Sequence, residues 1–400
     1  MNSNKSDAGG KRYLRLGGDL FLKALEKPCV YSVESDDLYE LSPEAMDFLA
    51  RCDGAKTAVE LEAEEDFLSY CLEEGVLEVL DRPRRRAIVV GRNETPSLRY
   101  LMVEVTDRCN LSCRHCYLGG AGSTDLEWET ARRILDDFDD IGGLRLMITG
   151  GEPTLYPHFE LLNRELEGRS YRTVLITNGT RMEGLDLRGL NFKEIQFSVD
   201  GLEEGHDLLR GKGAYRKVMG AVRGTLAAGI DVSVATVIHS RNLDELERLG
   251  ETLFEMDVFA WTLEYPVAWG RMEQNRELMP EPEAAAPLFE MEWGWGAHEG
   301  AEGYACGAHL ANVEPGGRLV KCGYYREADG GHVGAEGGLR RAWLELPKMK
   351  MEGTCLQCDM LGDCGGGCRF RAELMAGAGG PDPLMCARMG KDGVSRSIDT

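Results

Sequence analysis

Three cysteines within eight residues, Cys109, Cys113 and Cys116, follow the apolar run Leu101, Met102, Val103 and Val105. The spacing C-x3-C-x2-C places three thiols in one loop at the end of a strand. Three thiolates neither close a tetrahedral metal site nor saturate a four-iron cluster, so one coordination position stays open for chemistry. The same spacing also suits a zinc knuckle completed from afar, or three buried thiols. A second group begins with Cys306, Gly317 and Cys322, continues as Cys355-x2-Cys358-x5-Cys364-x3-Cys368, and closes with Cys386. Clustered cysteines without nearby histidine favour iron–sulfur over zinc, although a four-cysteine zinc site at Cys355, Cys358, Cys364 and Cys386 stays open. The chain has 13 cysteines, an odd number, and ten fall in these two groups. In a reducing compartment that pattern reads as metal rather than disulfides. Cys29, Cys52 and Cys71 lack ligand spacing and read as small buried apolar residues.

Positioning these thiols requires elements around them. From Leu98 to about Arg271, apolar strands near 100–105, 144–149, 173–177, 194–199, 231–237 and 260–265 alternate with amphipathic helices such as 130–139 and 215–228. Strand–helix alternation predicts a parallel sheet with right-handed crossovers, here an α/β partial (β/α)6 TIM-like barrel whose site lies on loops at the strands' C-terminal ends. Cys109, Cys113 and Cys116 follow the first strand, Gly150-Gly151-Glu152-Pro153 the second and Thr177-Asn178-Gly179 the third, while Ser198-Val199-Asp200-Gly201 ends the fourth. Before the barrel, residues 13–82 read as a small module with strands at 20–25, 29–33 and 38–41. A helix starts at Ser42-Pro43, Thr57 caps a second short helix, and a third stops at Gly75 before a last strand over 76–80. Strands with three helices predict a winged helix-turn-helix shape. Residues 83–97, with the basic run Arg82-Pro83-Arg84-Arg85-Arg86, read as a solvated linker, and residues 1–12 as a disordered tail. The Trp293-Gly294-Trp295 stretch reads as part of a bridging segment.

The cysteine loop and the G-G-E-P run resemble those of the radical S-adenosylmethionine (SAM) enzymes, with His115 in the aromatic slot of their cysteine signature. The resemblance implies a SAM-binding 4Fe–4S cluster on Cys109, Cys113 and Cys116. It implies that Gly150, Gly151 and Glu152 hold the methionyl amino group, and that Ser198 and Asp200 approach the ribose and methionyl groups. Asn178 and His115 would lie beside the site, and Arg210 would pair with the SAM carboxylate, which a guanidinium fork suits. Tyr265-Pro266 through Gly270-Arg271 resembles the family's sixth-strand motif near the adenine. The second cysteine group is similar to the SPASM domain, which implies two auxiliary iron–sulfur clusters. One would sit on Cys306, Cys322 and Cys368, with an open position because residues 299–305 supply no further cysteine upstream of Cys306; a non-cysteine ligand or a 2Fe–2S cluster is the competing explanation. The other would sit on Cys355, Cys358, Cys364 and Cys386. The N-terminal module resembles the PqqD-like RiPP recognition element, which binds a precursor's leader peptide as an added strand. The domains expected are thus a recognition element at 13–82, a linker at 83–97, a radical SAM core at 98–290 and a SPASM domain at 300–390.

Charge narrows the partners. The formal net charge is −22, and residues 1–82 carry 19 acidic against nine basic residues, which argues against nucleic acid. No apolar run approaches a membrane span and no signal peptide opens the chain, so a cytoplasmic protein is expected. The resemblance implies an oxidoreductase that modifies a ribosomally made precursor peptide, through a thioether or carbon–carbon crosslink, by way of a 5′-deoxyadenosyl radical. A flavodoxin or ferredoxin-type donor would supply electrons. The competing readings are a sulfatase-type maturase or tetrapyrrole decarboxylase and, more remotely, a metal-binding winged-helix regulator.

Overall fold

A computed structural model of the chain describes residues 12–294 and 303–391. The expected tail, Trp295 and residues 299–302 of the cysteine-free run lie outside the described residues. The N-terminal module contains β1 (Tyr13–Leu16), β2 (Leu20–Ala24), β3 (Pro28–Ser32), β4 (Leu38–Glu40), α1 (Pro43–Leu49), β5 (Asp53–Thr57), α2 (Glu65–Glu73) and β6 (Leu77–Leu80). Ser42 caps α1 by accepting from the Ala45 amide, and Pro43 takes its first position. The second expected helix is absent. Thr57 ends β5, and its reciprocal bonds with Glu60 close a turn instead.

The basic stretch is no solvated tether. Arg84 and Arg86 donate backbone bonds to Gly54 and Asp53, and the Arg86 guanidinium lies over the Phe21 ring. Ile88 and Val90 pack on the module's core, and β7 (Gly91–Arg92) pairs with β2. The continuous apolar run over 87–90 is the sequence signal for this packing. The module's two sheets run β5-β1-β6 and β4-β3-β2-β7.

The barrel follows as β8 (Tyr100–Thr106), α3 (Trp128–Asp140), β9 (Arg145–Gly150), α4 (Phe159–Glu165), β10 (Arg172–Thr177), β11 (Glu194–Ser198), α5 (Glu203–Arg210), α6 (Ala214–Ala228), β12 (Asp231–Val237), α7 (Leu246–Glu255), β13 (Ala260–Glu264) and α8 (Pro282–Ala285). The six strands are parallel and adjacent in chain order. Along each, alternate residues face the helices: Leu101, Val103 and Val105 on β8 and Trp261 and Leu263 on β13 enter the main core. Residues of the opposite face, Tyr100, Met102, Met147, Val174, Ile176 and Leu310, form a separate apolar cluster inside the sheet's curve.

The C-terminal region is welded to this sheet. Its elements are β14 (Leu310–Val313), β15 (Arg318–Val320), β16 (Asp329–His332), α9 (Gly338–Glu345), α10 (Leu361–Cys364), α11 (Arg369–Ala376) and α12 (Pro383–Arg388). Strand β14 runs parallel to β8 with Leu310 opposite Tyr100, so the barrel sheet grows to nine strands. Trp343 of α9, 2% exposed, joins the same core and donates its indole N–H to Pro96 O at 3.0 Å. Truncating a side chain this large and buried costs about 3–5 kcal/mol.

Candidate functional site

The cysteine loop is tied down from three sides. Asn110 donates to Thr180 Oγ1 at 2.8 Å and accepts from Asn178 Nδ2 at 3.1 Å, fixing it to the end of β10. The Arg114 amide bonds Leu209 O of α5, and its side chain reaches Asn275 and Glu277. On the third side the Arg271 amide bonds Cys116 O, and a Cβ on Gly270 would stand 2.5 Å from that oxygen. Glycine is required where the loop after β13 presses on the thiols.

Glycine is required again after β9. Gly150 has φ +142°, and a Cβ there would lie 2.1 Å from Thr106 O, while one on Gly151 would lie 2.4 Å from Arg108 O. The loops after β8 and β9 therefore touch backbone to backbone. Glu152 locks the turn: wholly buried, its carboxylate accepts from Thr154 N, Thr154 Oγ1, Thr177 Oγ1 and Asn178 N at 2.7–3.2 Å. Those four donors occupy the carboxylate, so its role within the protein is to order the turn and the start of the Asn178 loop.

Beside the cysteines stands a buried charge pair. Asp200, 0% exposed, accepts from Arg210 Nε at 2.5 Å and from the Val237 amide at 2.9 Å. Burial works to raise its pKa, but Arg210, His115 and His206 outweigh that and hold its carboxyl well below the usual range. Arg210 Nη2 is 3.3 Å from His115 Nε2, and His115 Nδ1 is buried without a partner. Burial lowers the His115 pKa to about 4, so the ring is neutral at pH 7. Ser198 sits half-buried at the end of β11.

Cys109, Cys113 and Cys116 are free thiols within electrostatic reach of one another, and burial pushes the Cys113 pKa up to about 11. The C-terminal thiols divide in two. Cys306 neighbours Cys322 and Cys368, whereas Cys386 neighbours Cys355, Cys358 and Cys364. Arg369 stands between the sets, with its guanidinium 3.8 Å from Cys355 Sγ and its backbone on Cys306. Among the described residues, no three His, Cys, Asp or Glu converge as ligands of a single ion do. Donor sets made of thiols alone are the chemistry that iron–sulfur groups take.

Several residues escaped the sequence reading. Glu104, 1% exposed on β8, binds Arg326 and Asn312, joining the barrel mouth to the C-terminal region. Lys321, 3% exposed, bonds Gly307 O and Leu310 O beside Cys306 and Cys322. Gly270 and Arg114 clamp the cysteine loop. Proximity to a cysteine was the only signal for Lys321 and Arg114; Glu104 gave none, because its partners lie some 200 residues away.

Residues 103–253 match the family model described as Radical SAM superfamily. The subtilosin biosynthesis protein AlbA of Bacillus subtilis is 26% identical over 283 residues, 62% of this chain and 63% of AlbA. An AdoMet-dependent heme synthase of Methanosarcina barkeri is 29% identical over 194 residues, 46% of this chain and 56% of that protein. The chain thus spans somewhat less than two thirds of these two relatives. The mycofactocin maturase MftC of Mycobacterium tuberculosis is 27% identical over 321 residues, covering 70% of this chain and 81% of MftC. In fold, the chain is similar to Streptococcus suis SuiB bound to its precursor peptide SuiA, with TM-score 0.69 and 15% identity over 93% of this chain and 99% of SuiB. No helix among the described residues is long and apolar enough to cross a membrane. Over residues 103–253 the chain thus matches the radical SAM domain, and the biosynthesis protein AlbA and the maturase MftC are among its relatives.

Proposed function

We propose that the chain modifies a ribosomally synthesised precursor peptide by radical SAM chemistry. The observation that carries this reading is the barrel mouth itself. There a three-thiol loop with no fourth thiol is pressed against a Gly-Gly turn and flanked by the buried Asp200–Arg210–His115 set. Cys109, Cys113 and Cys116 would hold the SAM-binding cluster. Asp200 fixes the Arg210 guanidinium by its Nε edge, and its Nη groups, one of them 3.3 Å from His115 Nε2, supply donors for a carboxylate. The unpartnered His115 Nδ1 is a further polar atom available to SAM. When bound, SAM and the reduced cluster supply hydrogen-abstracting radical chemistry; the protein's part is orientation and exclusion of water. The two C-terminal thiol sets would hold the auxiliary clusters, and a flavodoxin or ferredoxin-type protein would supply electrons.

A peptide substrate is supported by the N-terminal module. Its strand β4 is a sheet edge, and Tyr39 on that edge is 53% exposed, close to Tyr70 of α2 at 56%. A leader peptide adding to β4 would gain main-chain bonds and two aromatic contacts. AlbA and MftC are named for peptide products, and the fold match to SuiB extends over the module. The heme synthase among the relatives favours a tetrapyrrole as the second reading. The test takes a short open reading frame beside the gene as the precursor. The expected result is tight binding of its leader and a product lighter by pairs of hydrogens. A porphyrinogen substrate consumed in place of the peptide would overturn the reading.

A further inference from the structure

One charged group at the barrel mouth has nothing to do within the protein. Glu264 ends β13, and because Trp261 and Leu263 enter the outer core, strand alternation puts Thr262 and Glu264 on the inner face. Glu264 is open to solvent at its surface but crowded below, so that burial and then Asp200 push its pKa up, and it stands within electrostatic reach of Arg210, Arg371 and Tyr324 as well. It therefore lies at the barrel mouth, with Asp200 and Arg210 of the barrel and Arg371 and Tyr324 of the C-terminal region as its charged and aromatic neighbours.

The neighbouring charges are already committed. Asp200 is paired with Arg210, and Arg371 donates to both carboxylate oxygens of Asp382 at 2.8 and 2.5 Å. The Glu264 backbone carbonyl accepts from the Ile238 amide, but its carboxylate has no hydrogen-bond or ion-pair partner among the described residues. Near it the C-terminal region and the barrel loops bring rings together. Tyr324 stacks on Phe370 at 5.2 Å, Trp269 meets Phe370 edge-on at 5.4 Å, and Tyr117 lies 5.6 Å from Tyr324. Trp269 remains 43% exposed. An unpaired carboxylate near aromatic faces is the arrangement that takes a cation, through Coulomb attraction to the acid and to the rings' quadrupoles.

We propose that Glu264, with the aromatic wall of Tyr324, Phe370 and Trp269, is a specificity site for a cationic side chain, lysine or arginine, of the peptide segment brought to the barrel mouth. This rests on the peptide-maturase reading and names what that substrate carries near its reacting residue. Glu264 selects by charge, and the rings accept the aliphatic stem.

The test uses the full chain, anaerobically reconstituted, with esterification of carboxyl groups by a diazo reagent, which amines do not intercept, read by peptide mass spectrometry. Three probes are compared: N-acetyl-lysine methylamide, its neutral isostere N-acetyl-norleucine methylamide, and SAM without reductant. The expected result is that Glu264 labels in the free protein, and that the lysine probe protects it at about tenfold lower concentration than the norleucine probe. Ligand-detected NMR should show that preference lost in Glu264→Gln. Equal protection by both amides, or protection by neither, would overturn the proposal. Protection by SAM alone would assign Glu264 to the SAM site and overturn it as well. Release of 5′-deoxyadenosine by the same preparation under reduction reports separately on the radical SAM reading, so either can fail without the other.

Discussion

The two ends of the barrel sheet both bury arginine–carboxylate groups, and they treat them differently. At the foot, β9, β10, β11 and β12 begin with Arg145, Arg172, Glu194 and Asp231. Arg172 binds Glu194 and Asp231, Ser233 donates to Glu194 at 2.6 Å, and Arg172 also reaches Val33 O and Glu34 O of the N-terminal module. Arg145 Nη2 bonds Glu194, while its Nε lies 2.8 Å from Asp36 off the N–H line, an ion pair rather than a hydrogen bond. The module covers this end, and Lys23, 1% exposed, pins it to Gly143 O and Ser170 Oγ. At the mouth the pairing stops short: among the described residues His115 Nδ1 is orphaned, three thiols are free, and the Glu264 carboxylate has no partner. A buried network closed by protein groups holds domains together, whereas one left incomplete at an opening is prepared for something the chain does not contain.

The largest expected effects separate these ends. Arg210→Ala leaves Asp200 buried and unpaired and should cost about 3–5 kcal/mol, with SAM affinity falling about a hundredfold. Arg172→Ala should cost less, about 1.5–3 kcal/mol, because Glu194 keeps Arg145 and Ser233, and should leave SAM affinity within about twofold. Denaturant melts with equilibrium dialysis of SAM check both, and an equal loss of SAM affinity at the foot would erase the distinction.

His206 sharpens the comparison through pH. Its Nδ1 accepts from the Asp200 amide, its Nε2 is unpartnered, and burial lowers its pKa to about 4. Because the folded value lies below the unfolded value of about 6.5, the unfolded chain binds the proton more readily between them. Stability from the neutral ring is thus full above pH 6.5 and is lost as pH falls toward 4, by about 3 kcal/mol. His206→Gln should flatten that slope in melts taken across the window.

Smaller again is Gly151→Ala, which pushes a methyl into Arg108 O and should cost about 1–3 kcal/mol while weakening SAM binding. At the bottom of the scale, Arg340→Ala removes a half-exposed pair with Glu94 and should change stability by no more than about 0.5 kcal/mol. A larger loss there would mean that surface pairs matter as much as the buried ones.

Local signals were legible in the sequence. The six barrel strands fall within a residue or so of their expected bounds because period-two patterning is written into each segment. Glycines at 150, 151 and 270 are likewise local, and the structure shows the backbone contacts that demand them. Long-range pairing was not legible. Nothing in Leu310–Val313 says that it joins β8 some 210 residues earlier, and nothing in Arg145 or Arg172 says that Glu34 and Asp36 will meet them. Thr57 misled because the same Thr–Glu reciprocity that caps helices also closes turns. For Glu152 the motif located the residue, but only the structure shows its carboxylate occupied by four protein donors.

The most direct test of the mouth as a SAM cleft is 5′-deoxyadenosine release from SAM under reduction, measured together with iron content on anaerobically reconstituted protein. The expected result is about twelve irons per chain, fewer if one cluster is smaller, with cleavage in the wild type and none in Cys113→Ala. Zinc in place of iron, or cleavage that survives Cys113→Ala, would contradict it.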